Sequence, residues 1–214
     1  MTKIVSDITM SLDGYVAGPN PTIKDPLGIG GEHLHDWATR LAQWRKPHGL
    51  EGGEIGIDGD VIKESFENIG AFIMGRLMFD GGKGPWETDT NKNGWWGDTP
   101  PFHAPVFVLT SHKRDPLVMK GGTTFIFITD GIKHAHAEAK KVAGNKNISI
   151  AGGASAIQQA INAKLLEEIQ VHISPIFLGG GTKLFENIGT PVLEKTRVID
   201  SPFVTHIRYR LQYT

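Results

Sequence analysis

Residues 148–164 read Ile-Ser-Ile-Ala-Gly-Gly-Ala-Ser-Ala-Ile-Gln-Gln-Ala-Ile-Asn-Ala-Lys. A short apolar run ends in Gly152-Gly153, and a segment of helix formers follows from Ala154 to Lys164. Glycines at a strand-to-helix turn let a phosphate approach the backbone, and the helix N-terminus adds free N–H groups and a partial positive charge. Ala71-Phe72-Ile73-Met74-Gly75-Arg76 is a second apolar run closing on glycine. Between them, Pro105-Val106-Phe107-Val108-Leu109-Thr110-Ser111-His112-Lys113-Arg114 is a strand that ends in hydroxyls and bases. Three such ends along one sheet suit an elongated, phosphate-rich cofactor.

Outward from these turns the chain alternates strands and helices. Residues 3–10 place Ile4, Ile8 and Met10 on one side, which predicts a strand. Residues 19–59 are loop-rich, with one short helix predicted from His33 to Trp44, where Leu34, Trp37, Ala38, Leu41 and Trp44 recur at spacings of three and four. A second short helix is predicted from Asp60 to Glu67, with Asp60 as its cap. Residues 70–74 are apolar on both faces, as in a covered sheet. A brief helix over 77–79 is expected next. Strands are predicted at 105–109, 124–128, 147–151 and 168–173, and helices at 131–143 and 154–164. Segments 191–199 and 203–211 read as a closing antiparallel hairpin. The pattern predicts an α/β domain whose mixed sheet is parallel at its centre and antiparallel at its C-terminal edge.

The 214 residues fit one domain, 1–214, able to bury roughly 70% of its unfolded surface. Loop-rich insertions at 19–59 and 81–104 lie within it. The chain has no cysteine, which excludes disulfides and thiolate zinc sites. With 22 basic and 23 acidic residues it carries no excess charge for a nucleic-acid partner. The first residues reach Asp7 before any signal-like apolar core forms, and no apolar run approaches the roughly 20 residues that span a bilayer. A soluble cytoplasmic protein is the expectation.

Five pieces carry a family resemblance, in order: Ser11-Leu12-Asp13-Gly14-Tyr15-Val16-Ala17, Ile73-Met74-Gly75-Arg76, Val108-Leu109-Thr110-Ser111, Ile150-Ala151-Gly152-Gly153-Ala154, and Ile173-Ser174-Pro175-Ile176-Phe177-Leu178-Gly179-Gly180-Gly181 with Leu184-Phe185. Together they resemble the dihydrofolate reductase-like superfamily. The nearest branch is the C-terminal reductase domain of the bacterial bifunctional deaminase-reductase of riboflavin biosynthesis, with its stand-alone relatives. The resemblance implies a three-layer α/β/α sandwich and an NADPH-dependent oxidoreductase acting on a pterin- or aminopyrimidine-like heterocycle. It implies chemistry like that of 5-amino-6-(5-phosphoribosylamino)uracil reductase, and a homodimer. The sequence departs from dihydrofolate reductases proper at Met78, where they have threonine, and shows no counterpart of their folate-binding acid within 19–59.

The resemblance places the cofactor against Gly75 and Arg76, against Leu109, Thr110, Ser111 and Lys113, and against Ala151, Gly152, Gly153, Ala154 and Ser155. The residues add an argument of their own. A site for the 2′-phosphate of NADPH offers hydroxyls and bases, whereas a site for NADH offers a carboxylate, and no acid occurs from 106 to 114. Asp13 is the candidate catalytic group, a carboxylate at a strand end that bonds a substrate N–H with a raised pKa; its alternative is an Asp-Gly turn bonding its own backbone. Arg76 has pairing with Asp80 as its alternative. Trp86, Trp95 and Trp96 suit stacking on a flat heterocycle, with Trp86 and Trp96 taken as substrate contacts, or else pin the loop. His33, His35 and Asp36 invite a metal-dependent hydrolase, but histidines at i and i+2 do not share a helix face, and no metal is expected. A nucleotide- or heterocycle-binding protein without turnover is the other alternative.

Overall fold

The structure, a computed structural model, describes residues 2–82, 84–88 and 93–213. Eleven strands occur among them: β1 (Ile4–Ser11), β2 (Tyr15–Ala17), β3 (Ile69–Gly75), β4 (Pro105–Leu109), β5 (Leu117–Val118), β6 (Thr124–Ile128), β7 (Asn147–Gly152), β8 (Glu168–Ser174), β9 (Thr182–Lys183), β10 (Val192–Asp200) and β11 (Thr205–Gln212). The helices are α1 (Asp36–Thr39), α2 (Ala42–Arg45), α3 (Ile57–Phe66), α4 (Arg76–Asp80), α5 (Gly131–Ala143) and α6 (Ala154–Asn162), with short 3₁₀ turns between some of them.

Nine strands form one sheet in the order β10-β11-β8-β1-β7-β3-β4-β6-β5. The six from β8 to β6 run parallel, while β11, β10 and the edge strand β5 are antiparallel. Parallel strands need crossovers that cover the sheet, so their residues are apolar on both faces. Phe72, Ile73 and Met74 of β3 are accordingly all buried.

On one face α5 and α6 set Ile132, Ala135, Ala139, Ala156, Ile157, Ala160 and Ile161 against Ile73, Ile148, Ile150 and Ile169. Alanines on the helices let them lie close over the branched strand residues, and each large side chain buried there contributes about 1.5–3 kcal/mol. On the other face Phe72, Phe79, Trp86, Phe102, Phe125 and Phe127 form an aromatic core. Beside it Trp37, Ala38, Leu41, Ile62 and Val204 cover the β1-β8-β11 end of the sheet.

The expected α/β/α sandwich, with its mostly parallel sheet and closing hairpin, is the one observed. Two local expectations are corrected. The helix expected over 33–44 is broken at Leu41, which bridges to Glu54 while Ala42 donates its N–H to the Glu54 carbonyl at 2.9 Å. The hydrophobic spacing holds, because Leu34, Trp37, Ala38 and Leu41 are all buried. Asp60 is not a cap, since α3 begins three residues earlier and is capped at Gly56. The two-residue strands β5 and β9 carried no periodicity long enough to be read.

Candidate active site

A cleft of about 930 Å³ opens along the C-terminal ends of the parallel strands. Its walls fall into two groups of residues with different chemistry.

The first group comes from four strand ends. Gly75 and Arg76 leave β3, Leu109, Thr110 and Ser111 leave β4, Ile128 and Thr129 leave β6, and Ala151 to Ala156 join β7 to α6. The three turns singled out in the sequence thus meet on one cleft. The Gly152–Gly153 peptide is cis. Gly152 has φ of +128°, a conformation that other residues rarely adopt, and an added Cβ would lie 3.1 Å from Met78 Sδ. Met78 therefore packs the underside of this turn. Gly153 is different. Its φ is −70°, open to any residue, and a Cβ there would meet nothing within 4 Å. Neither strain nor crowding inside the chain requires glycine at that position. No side chain caps α6 at Gly153.

Arg76 lines this part of the cleft but is buried, and its Nε donates to Asp80 Oδ1 at 2.8 Å and Oδ2 at 2.7 Å. Its guanidinium lies 3.2 Å from the centroid of the Trp86 ring. The Asp80 partner weighed from the sequence is present, so this part of the guanidinium is structural, since removing either member would strand a buried charge. Lys113 does not line the main cleft. It lies in a second cavity of about 540 Å³, with Arg114, His134 and the carboxylates Asp115 and Asp130, whose walls share Ile128 and Thr129 with the first.

The second group was not foreseen. Asp7, in the middle of β1, lines the cleft with His172 of β8. The register sets Asp7 beside Gln170 and Thr9 beside His172 on β8, and His172 beside His206 on β11. These residues share the face covered by α1 and α3. Asp7 Oδ1 meets His172 Nε2 at 2.5 Å, and Asp7 Oδ2 accepts from Ser65 Oγ at 2.5 Å and Gln170 Nε2 at 2.8 Å. The row continues inward, with His172 Nδ1 2.6 Å from His206 Nδ1 and His206 Nε2 3.1 Å from Asp58 Oδ1. Trp37 lies against both imidazoles, at centroid distances of 4.9 and 5.1 Å. Burial alone would raise the Asp7 pKa, but the His172, Ser65 and Gln170 contacts outweigh it and hold the carboxyl below its usual range. Asp7 is therefore a carboxylate at neutral pH, and its side chain is 28% exposed at the cleft wall. Around it the cleft is apolar and aromatic, with Trp37, Trp44, Ile62, Phe66, Trp95 and Trp96.

Asp13, expected to be catalytic, lies elsewhere. It accepts from Ser11 Oγ at 2.6 Å, Gly179 N at 2.8 Å and Leu178 N at 3.2 Å. The Ser11 hydroxyl first, then these N–H groups, lower its pKa rather than raise it. It is not among the cleft-lining residues. The Asp-Gly turn weighed against catalysis is what forms, extended into a clasp on the 178–179 backbone. Asp13→Ala is accordingly expected to speed proteolysis near 178–181 while leaving the pH dependence of turnover as in the parent, read by limited proteolysis and a pH–rate profile.

Trp86 is likewise corrected. It is 7% exposed, donates its Nε1 to the His112 carbonyl at 2.8 Å, and belongs to the aromatic core rather than the cleft. Trp95 and Trp96 do line the cleft. Among the described residues no group of three His, Asp or Glu side chains is arranged to hold a metal ion, and His33 pairs with Asp36 at 3.0 Å. No helix among them is long and apolar enough to cross a membrane.

The chain can be set beside known proteins. It is 26% identical to the uncharacterized protein YyaP of Bacillus subtilis, over 87% of this chain and 81% of that one. A solved protein of Shewanella sp. PV-4, provisionally assigned to riboflavin biosynthesis, superposes with a TM-score of 0.63 at 20% identity, over 99% of this chain and 100% of that one. The Thermotoga maritima diaminohydroxyphosphoribosylaminopyrimidine deaminase/5-amino-6-(5-phosphoribosylamino)uracil reductase gives a TM-score of 0.57 at 11% identity, over 98% of this chain and 56% of that one. Dihydrofolate reductase of Enterococcus faecalis, solved with NADP(H), gives 0.54 at 15% identity over 98% and 96%. These likenesses establish the dihydrofolate reductase-like fold. The sequence model of the RibD C-terminal domain matches residues 2–204, nearly the whole chain, and the protein belongs to the RibD C-terminal domain family.

Proposed function

We propose that this protein is an NADPH-dependent reductase of a nitrogen heterocycle, pterin- or aminopyrimidine-like. The observation that carries the proposal is the division of one cleft into a glycine-lined, cap-free strand-end region and an aromatic region holding a carboxylate. When bound, NADPH supplies the hydride. The N–H groups at Gly153, Ala154 and Ser155 hold its pyrophosphate. Thr110 and Ser111 lie toward its adenosine end, and Lys113 in the adjoining cavity meets the 2′-phosphate. Trp95, Trp96 and Phe66 stack on the flat substrate. Asp7 as a carboxylate accepts an N–H from the heterocycle edge, which fixes the ring in place, and the apolar wall excludes water from the reacting carbon.

Two measurements test this. Purified protein is mixed with NADPH and a panel of pterins and aminopyrimidines while the nicotinamide absorbance is followed. Oxidation with one of them is expected; tight binding with no oxidation across the panel returns the binding-protein alternative. Lys113→Glu is expected to weaken NADPH by about 10–100-fold, the worth of one charge-assisted bond of about 1.5–3 kcal/mol, and to leave NADH nearly unchanged. Equal losses for both cofactors would refute the 2′-phosphate assignment. The family's dimeric habit is carried into the proposal as well, with sedimentation equilibrium as its check.

A further inference from the structure

We infer that Asp7, His172, His206 and Asp58 form a proton wire that supplies the cleft from the β11 side of the sheet. The four side chains are joined by three contacts of 2.5, 2.6 and 3.1 Å. Both imidazoles are almost inaccessible, 3% and 2% exposed, so no water competes for their nitrogens. The inner end, Asp58, also accepts Ser201 Oγ at 3.0 Å. The outer end, Asp7, opens on the cleft.

Proton counting gives the row its property. Two carboxylates and two neutral imidazoles hold two protons between them, which leaves one of the three gaps with lone pair facing lone pair. A third proton fills every gap, and a fourth would set N–H against N–H. The geometry therefore selects three protons, one per gap, and a net charge of −1 over the four groups. Moving all three by one place transfers the negative charge from one aspartate to the other without moving a heavy atom. The lowered pKa of Asp7 makes it the ionised end of the row. Burial and the neighbouring His172 hold His206 below its usual value, which keeps it a ready carrier.

The role in turnover rests on the reductase reading. Reduction of a C=N bond adds a hydride to carbon and leaves the former π pair on nitrogen, which takes a proton. The two electrons arrive with the cofactor's hydride, and the cofactor is oxidised. His172 Nε2 passes its proton to the Asp7 carboxylate, and Asp7 hands it on to the nitrogen, which returns Asp7 to its ionised form. His172 draws on His206 through the Nδ1 pair, and His206 draws on Asp58. Water at the Ser201 end restores the third proton. Asp7 thus rests as a carboxylate that orients the substrate, yet donates at the moment of need. Asp7 and His172 are the cleft-side groups; His206 and Asp58 act through them and are positioning and supplying residues.

Other charges face the row and bear on its titration. His35, from the turn before α1, couples to His172 and is held low chiefly by burial, with Asp36 opposing. From α3, Glu64 pairs with Arg208 of β11 at 2.9 Å and with Arg197 of β10, and Arg208 Nε also donates to Gln170 Oε1 at 3.0 Å.

The test uses Asp58→Asn, which keeps the shape and removes the inner carboxylate. The expected result is kcat lower by about 10–100-fold with KM and NADPH affinity unchanged, since position 58 is outside the cleft. The alkaline limb of the pH–rate profile should move to lower pH, because the third proton loses a stabilising negative charge. In protein with ¹⁵N-labelled histidine, the imidazole nitrogens of both His172 and His206 should shift. Changes confined to His206, with the parental kcat and pH limb, would overturn the wire. If Asp58→Asn does not fold, His206→Gln serves, with the same loss expected and parental kinetics overturning the idea. Absence of NADPH oxidation with every substrate would sink the reductase reading instead, while the nitrogen shifts still decide the wire.

Discussion

Asp7→Asn is expected to lower kcat/KM for NADPH-linked reduction by about 10²–10⁴-fold, the usual weight of a positioned acid–base group. The substitution is nearly isosteric, and the surroundings accept it. The carbonyl oxygen of the introduced amide can keep the bonds from Ser65 and Gln170, and its NH₂ can donate to His172 Nε2 once that ring changes tautomer. The loss of stability should therefore stay within about 1–3 kcal/mol, the range for one charged hydrogen bond. NADPH affinity should not change, because Asp7 lies in the aromatic half of the cleft. A rate within a few-fold of the parent, measured by absorbance under single-turnover conditions, would remove Asp7 from the chemistry.

Gly153→Asp has the second large expected effect, on binding rather than rate. Aspartate is a preferred residue at a helix N-cap, its required φ is the one already present, and open space awaits its side chain. The fold should keep or gain stability. The cofactor should be rejected, because a carboxylate would then stand where the pyrophosphate is proposed to lie. Like charges brought together in such a site cost several kcal/mol, so NADPH affinity should fall by more than about 1,000-fold. Calorimetric titration and a thermal melt on the same sample separate the two effects.

Much of the fold was legible because parallel strands are apolar on both faces and their helices amphipathic. The strands at 105–109 and 124–128 and the helix at 131–143 stand where the apolar runs and turn residues put them. The glycine turns were legible because a strand-to-helix junction leaves a short, local signature. The aromatic half of the cleft was not. Gln170, His172, His206 and Arg208 alternate with Ile169, Val171 and Ile207, a pattern that in antiparallel strands commonly marks a solvated face. The structure covers that face with α1 and α3, whose own apolar spacing shows that they pack but not on which strands.

A carboxylate in the middle of β1 was the available signal, since a central strand seldom holds an unpaired charge. Asp13, by contrast, sits in the segment that carries the family resemblance. Its partners, Leu178 and Gly179, lie 165 and 166 residues away, so the clasp it forms has no trace in local sequence. Trp86 illustrates the same limit. An aromatic residue in a polar excursion reads equally well as a substrate platform or as an anchor, and the Arg76–Asp80 pair packed on it makes it an anchor.

The central claim is that a phosphate-bearing nicotinamide cofactor lies on the amides at the start of α6. Titrating NADPH into the parent protein and into Gly153→Asp, by calorimetry at one salt concentration, tests it most directly. Saturable one-site binding to the parent and none to the folded variant is the predicted result. Equal binding to both, or no binding to the parent, would contradict it.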